Sequence, residues 1–398
     1  MMYIFEIDFK QLMAVGLLLF SIQFVSGNPL DSIPNVKKIE DFIIYEDPVF
    51  YASFPSVVKK EDGEIIVAFR RAPERKIYGE RNTYHIDPNS YLVYVKSNDN
   101  GLTWTKVPQL LYAHPFGGSQ DPCLIKLQDG TLLCSSYGWN QLRLNRISDF
   151  KYPIGMRKSG ETFLGGFLLR SENGGESWEE PIYPPTIPGE SRYTPMGKPL
   201  PSYNRGALYE GKDGRVFWVV TGKLDSLEAN NSTHLLISED KGRSWNYSSL
   251  VAKEDEITFN ETSIYETPKG DLVAFMRTAN FDDQACIARS TDGGKSFGSW
   301  KTMGFQGHPL QATRLPDDRV FLIYGYRHDP YGIRARILNP ECTDFETAKE
   351  IVIRDDGGGY DIGYPWSVVL DENRVLVVYY FNKNDGTRHI AGSILEIE

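Results

Sequence analysis

Short apolar runs alternate with tight polar turns along nearly the whole chain, and helical periodicity is weak throughout. Two such runs flanking one turn read as a β-hairpin. Six hairpins are present: Pro55 to Phe69 around Asp62-Gly63, Cys123 to Cys134 around Asp129-Gly130, Ala207 to Val220 around Asp213-Gly214, Ser263 to Phe275 around Lys269-Gly270, Leu310 to Tyr324 around Asp317-Asp318, and Ser367 to Tyr380 around Asp371-Glu372-Asn373. Runs such as Ile65 to Phe69 and Val375 to Tyr380 are apolar at almost every position instead of every second one. Their sheets are therefore expected to bury both faces against neighbours.

A second repeat is independent of the first. Ser97 to Trp104, Ser171 to Trp178, Ser238 to Trp245 and Ser290 to Phe297 all read Ser-x-Asp-x-Gly-x-Thr/Ser-Trp/Phe, with Asn173 in place of the Asp. An Asp bonding its own backbone two residues on, a Gly able to take positive φ and an anchoring aromatic specify one rigid turn. Each copy follows an apolar run, so each turn is expected between two strands. Six hairpins with box-linked outer strands predict an all-β chain, a six-bladed β-propeller of four-stranded antiparallel blades. Val36 to Tyr45 is expected to pair near Ile390 to Ile397 and close the ring. Long insertions lie between Phe69 and Tyr91, Tyr137 and Phe167, and Trp178 and Arg205, and loops of such length usually carry function.

The 398 residues, 41% apolar and 13% aromatic, suit a large core; length alone suggests two or three domains, but the repeats argue for a single ring over 28–398. Residues 1–27 read as a signal peptide: an apolar run from Met13 to Val25 follows Lys10 and ends in small residues, too short to span a membrane comfortably. The expected location is secreted or extracytoplasmic, without stable membrane insertion. Loss of Glu6, Asp8 and Lys10 with that segment moves the net charge only from −10 to −9. An acidic chain of this kind is a poor partner for nucleic acid. Cys123 and Cys134 flank a hairpin turn and suit either a disulfide or two buried thiols. No Cys/His cluster has metal-binding spacing, and no cofactor is implied.

The repeated box resembles the Asp box of the sialidase (neuraminidase) propellers, and the resemblance runs along most of the chain. Phe259-Asn260-Glu261-Thr262 resembles the family segment whose Glu partners the catalytic Tyr, and Gly363-Tyr364-Pro365-Trp366-Ser367 matches the position of that Tyr. Arg277, and Arg334 following Arg327-His328-Asp329-Pro330, are similar to two arginines that clamp the substrate carboxylate; Asp87 in His85-Ile86-Asp87 lies where the family carries its acid/base. The family's first arginine has no counterpart in Ala52-Ser53-Phe54-Pro55, so Arg70, Arg71, Arg75 or Arg205 is expected to supply that charge. Asp121, in Gln120-Asp121-Pro122, is expected at a turn facing the channel, in contact with substrate.

The implied roles are chemically coherent. A ketosidic carbon bearing a carboxylate repels a carboxylate nucleophile, and a neutral Tyr avoids that repulsion. With an ordinary pKa of about 10, Tyr364 needs a base, which Glu261 would be. Asp87 would protonate the leaving oxygen and then activate water, while paired arginines hold the carboxylate in planar fashion. The resemblance thus implies a secreted, retaining exo-glycosidase acting on terminal sialic acid or a related acidic sugar of a glycan. A glycan-binding propeller without turnover, or a propeller glycosidase for a different sugar, are the alternatives.

Overall fold

The computed structural model describes residues 35–80, 85–142, 148–157, 160–383 and 386–398; the expected signal peptide lies outside them. The chain opens with β1 (Val36–Tyr45) and then lays down the blades in order. Blade one holds β2 (Phe50–Lys59), β3 (Ile65–Pro73), β4 (Tyr91–Ser97) and β5 (Gln109–Tyr112); blade two holds β6 (Gly118–Ser119), β7 (Cys123–Lys126), β8 (Leu132–Gln141) and β9 (Glu161–Ser171). Blade three holds β10 (Tyr209–Glu210), β11 (Val216–Gly222), β12 (Ser232–Ser238) and β13 (Asn246–Ala252); blade four holds β14 (Thr258–Glu266), β15 (Leu272–Ala279), β16 (Gln284–Ser290) and β17 (Lys301–Gln306). Blade five holds β18 (Leu310–Arg314), β19 (Val320–Tyr326), β20 (Gly332–Leu338) and β21 (Ile351–Arg354); blade six holds β22 (Gly363–Val369), β23 (Arg374–Asn382) and β24 (Arg388–Ile397). Its fourth strand is β1, paired antiparallel with β24 from Val36↔Ile397 to Tyr45↔Ile390. The expected six-bladed propeller and its closure by the first strand are both present.

Six apolar clusters occupy the six interfaces between neighbouring blades. One joins Val57, Val67 and Val95 to Leu376, Val378 and Ile390, across the seam between first and last blades. Strands packed this way need apolar side chains on both faces, which is why β11, Val216–Gly222, is buried at every position.

The box turns follow the third strands β4, β9, β12 and β16. In the first, Ser97 Oγ accepts from the Gly101 amide at 2.9 Å, Asp99 accepts from the Thr103 amide at 2.9 Å, and Trp104 Nε1 donates to the Gly101 carbonyl at 3.0 Å. The Asp therefore reaches four residues along, not two as its sequence suggests. In blade six the position that follows the third strand is filled by β1. Cys123 faces Ser135 across the β7–β8 ladder while Cys134 faces Leu124. Neighbouring register positions point to opposite faces of the pleat, so the two remain buried free thiols.

Because strands alternate direction, each blade's first strand begins, and its second ends, at one end of the ring. All three long insertions emerge there: two follow second strands, and one leads into the first strand of blade three. The box turns lie at the opposite end.

Candidate active site

Three first strands carry a β-bulge near that common end. The registers slip between Ser53 and Ser56 in β2, between Asn260 and Thr262 in β14, and between Gly363 and Trp366 in β22. Phe54, Glu261 and Tyr364 are the residues released by these slips. Phe54 and Tyr364 have φ of 57° and 53°, a left-handed backbone that bulky residues rarely adopt. Bulges re-aim side chains, and strained residues of this kind cluster at functional sites.

The result is a compact triad. Tyr364 Oη donates to Glu261 Oε1 at 2.6 Å, Arg277 Nη1 donates to Tyr364 Oη at 2.9 Å, and Arg277 Nη1 also bonds the other Glu261 oxygen. Arg205 stacks over the Tyr364 ring at 4.4 Å and donates to the carbonyls of Tyr364 at 3.1 Å and Pro55 at 3.2 Å. Arg327 lies over the same ring at 5.1 Å, its Nη2 donating to Tyr380 Oη at 2.6 Å.

Burial, then the Glu261 charge, push the Tyr364 phenol above its ordinary pKa despite Arg277 and Arg327. Burial also works to raise Glu261, but the Arg277 charge and the bonds from Tyr364 and Arg277 outweigh it and hold the carboxyl below its usual range. At rest the phenol is thus neutral and its partner ionised. Asp121 behaves differently: burial and the nearby Glu261 charge push its carboxyl up to about 6. Tyr137 Oη donates to Asp121 Oδ2 at 3.1 Å.

These groups line a cavity of about 1260 Å³, roomier than the ~300–1,000 Å³ of ordinary small-molecule sites. Its walls also include Trp139, Phe163, Tyr203, Arg157 and Arg192 and the segment from Phe150 to Met156, all from the long insertions or the strand ends they leave. Eight lining residues (Gln120, Asp121, Trp139, Arg205, Thr221, Asn231, Asn260, Arg277) carry a buried polar atom without a partner among the described residues. Since buried polar groups are normally bonded, that concentration suits a ligand dense in hydroxyls. Seven lining residues are cationic (Lys151, Arg157, Arg192, Arg205, Lys223, Arg277, Arg327) and three anionic (Asp121, Glu228, Glu261), the reverse of the chain's net −10.

Five of the expected residues reach this cavity or its triad: Glu261, Tyr364, Arg277, Arg205 and Asp121. The other five, Asp87, Arg70, Arg71, Arg75 and Arg334, do not line it. Asp87 is gripped by Arg75, Nε to Oδ2 at 2.7 Å and Nη2 to Oδ1 at 3.0 Å. Burial notwithstanding, those bonds keep its carboxyl below the usual range, so it is poorly placed to carry a proton to a substrate. Arg70 is fully buried, 5.7 Å from the Tyr51 ring and 5.9 Å from that of Phe54. Arg71 pairs with Asp47 at 2.9 Å and lies 3.4 Å over the Phe50 ring. Arg334 sits on the third strand of its blade, where its guanidinium donates to the Pro330 carbonyl at 3.1 Å and packs 4.8 Å over Tyr326. Arg205 lines the cavity, but braces Tyr364 through its ring and carbonyl instead of standing free as a clamp. Arg327 and His85 also line the cavity, and neither was singled out from sequence. The signal for Arg327 was position: it directly follows the second strand of its hairpin, at the end of the ring where Arg277 lies.

Residues 152–377 match the family model described as the BNR repeat-like domain. No curated protein matches. Among solved structures, the chain is similar to a protein of unknown function from Dyadobacter fermentans DSM 18053, at 62% identity over 92% of this chain and 100% of that one, with a TM-score of 0.89. At 14% identity it is similar to the leech intramolecular trans-sialidase complexed with 2,7-anhydro-Neu5Ac, over 91% of this chain and 70% of that one, TM-score 0.57. At 13% identity it is similar to the Penicillium chrysogenum alpha-L-arabinanase complexed with arabinobiose, over 90% and 98%, TM-score 0.62. Likeness at such identities is one of fold, and the fold shared is the β-propeller.

Proposed function

The chain belongs to the BNR repeat-like domain family, and from that premise we propose that it is a retaining exo-glycosidase releasing a terminal acidic sugar, sialic acid or a relative, from glycans. The observation that carries this reading is the triad: a buried phenol 2.6 Å from a carboxylate, with one guanidinium bonded to both. As Tyr364 Oη bonds the anomeric carbon, its proton passes to Glu261, so a neutral nucleophile meets a carbon that bears a carboxylate. Arg277 is bonded to the phenol oxygen that changes charge, and stabilises it during the transfer. The excess of cations over anions along the cavity supports an anionic sugar, with Arg277, Arg205 and Arg327 all against the reacting phenol.

The test is turnover of a fluorogenic α-sialoside, with a panel of other acidic glycosides beside it, by the native chain and by Tyr364→Phe. The expected outcome is activity in the first and a loss of about a thousandfold or more in the second, roughly 4 kcal/mol of barrier. Equal activity in both would remove Tyr364 from the chemistry. A second reading, a glycan-binding propeller without turnover, is favoured by the engagement of Asp87 with Arg75; saturable binding of acidic glycans with no product from any of them would establish it.

A further inference from the structure

With Asp87 held by Arg75, the proton-transfer half of a glycosidase lacks an owner. Two residues earlier in the same segment, His85 lines the cavity with about a third of its side chain exposed (32%). Its Nε2 lies 2.7 Å from Asp361 Oδ1. Asp361 is itself buried and takes three further donors, from Tyr51 Oη at 2.9 Å, Tyr380 Oη at 2.8 Å and Arg388 Nε at 3.0 Å. A carboxylate so surrounded is ionised and only accepts, so Nε2 carries its proton toward Asp361 and Nδ1 is the nitrogen left to exchange one. The Phe54 ring sits between the two halves of the site, 5.2 Å from the His85 ring and 4.6 Å from that of Tyr364. Imidazole and phenol thus flank one aromatic ring at the same cavity.

We propose that His85, oriented by Asp361, is the acid/base of the reaction, in the role that the sialidase resemblance assigns to Asp87. The proposal rests on the Tyr364 reading above. In the first step the bond between anomeric carbon and glycosidic oxygen breaks, Tyr364 Oη bonds that carbon and gives its proton to Glu261, and the proton on His85 Nδ1 goes to the departing oxygen. In the second, His85 Nδ1 takes a proton from water, whose oxygen bonds the anomeric carbon; Tyr364 Oη leaves and recovers its proton from Glu261. Asp361 is a positioning residue. The charged groups around the imidazole are Asp361 ahead of β22, Arg327 after β19 and Arg70 on β3, with the Tyr51 ring 6.5 Å away on β2. Burial, Arg327 and Arg70 lower the His85 pKa and Asp361 opposes them, with a net shift below the ordinary imidazole value. The imidazolium form needed in the first step is therefore lost on the alkaline side of an acidic optimum.

The experiment compares His85→Ala and His85→Asn with the native chain on two glycosides of the same sugar, one with a sugar aglycone and one with a p-nitrophenyl leaving group, after thermal melts show both variants folded. The expected result is a loss of about a hundredfold or more on the sugar aglycone, a much smaller loss on the aryl glycoside, recovery of aryl turnover by azide, and disappearance of the alkaline limb of kcat/KM. Asp361→Asn should move that limb without abolishing turnover. Equal losses on both substrates, or no loss, overturn the proposal; so does leaving-group dependence in Asp121→Asn alone, which transfers the role to the carboxyl held near 6. In either case Tyr364→Phe, inactive on both substrates, leaves the glycosidase reading standing. A native chain inactive on every acidic glycoside removes both.

Discussion

At the scale of single residues, the site depends on which charges are spent and which are left. Asp361 and Asp87 are both buried carboxylates whose cationic or donor partners hold them below the usual range. A group depressed in the folded state contributes stability above its unfolded pKa of about 3.9, and that contribution is lost as pH falls through the native value. The part of the urea midpoint owed to these two carboxylates should therefore be constant from pH 7 to 5 and fall below about pH 4. Asp361→Asn should cost about 3 kcal/mol or more at pH 7, since Arg388 and the network around it lose their charge partner. The gap between variant and native chain should narrow toward pH 3; a gap of the same size at both pH values would show that the carboxylate's charge is not what stabilises the network. Such spending is hard to read from sequence. The spacing of His85-Ile86-Asp87 offers two proton-transfer groups, and only the fold shows that Arg75 takes one of them and that the distant Asp361 orients the other. Arg334 misled for a related reason: the strand that carries it is the third of its blade and its guanidinium is taken up by the Pro330 carbonyl and the Tyr326 ring, whereas Arg327 directly follows the second and lines the cavity.

At the scale of the element, the hairpins and boxes were the readable part, because both obey local rules: apolar periodicity for strands, and side-chain-to-backbone bonding for turns. In the third box Asp240 Oδ1 accepts from the Ser244 amide at 2.8 Å and Oδ2 from the Ser244 hydroxyl at 2.6 Å. Asp240→Ala removes both and leaves the amide without its acceptor, a loss of about 1–2 kcal/mol. Asn173→Asp should be near neutral. Asn173 Oδ1 already accepts from the Ser177 amide at 3.0 Å, and its Nδ2 donates to the Ser177 hydroxyl at 2.8 Å; a carboxylate needs only that hydroxyl turned around. Equilibrium urea midpoints for the two variants check the pair, and a large cost at Asn173 would mean the turn requires the amide. Blade two shows where local rules fail. Its first strand is split into β6 and β7, both along β8, with Pro122 between them offering no amide to the ladder. Its outermost position is reduced to a single bridge between Leu168 and Ile182, because the insertion that follows the box turns toward the cavity instead of running on as a strand.

At the scale of the whole molecule, the ring brings an acid, a phenol and guanidiniums from separate blades to one cavity, so the integrity of the circle and that of the site are one property. Closure depends on β1. It contributes Ile44 and Tyr45 to the cluster at the seam, with Phe42 packed against it, and Asp41 accepts from Ser393 Oγ at 2.6 Å. Most of its other side chains are exposed, so what it chiefly supplies is a covered edge for β24, a strand buried along nearly its whole length. Without it, that edge offers free amides and carbonyls to any second copy, and the seam between first and last blades loses the segment that runs on into β2 and joins them covalently. A chain beginning at Asn35 should therefore behave as a folded monomer, while one beginning at Glu46 should melt several degrees lower and associate in a concentration-dependent way in light scattering. Addition of a peptide spanning residues 35–45 should restore both the melting temperature and the monomer. An unchanged melt for the shorter chain would mean that packing between blades, not the added strand, holds the circle shut.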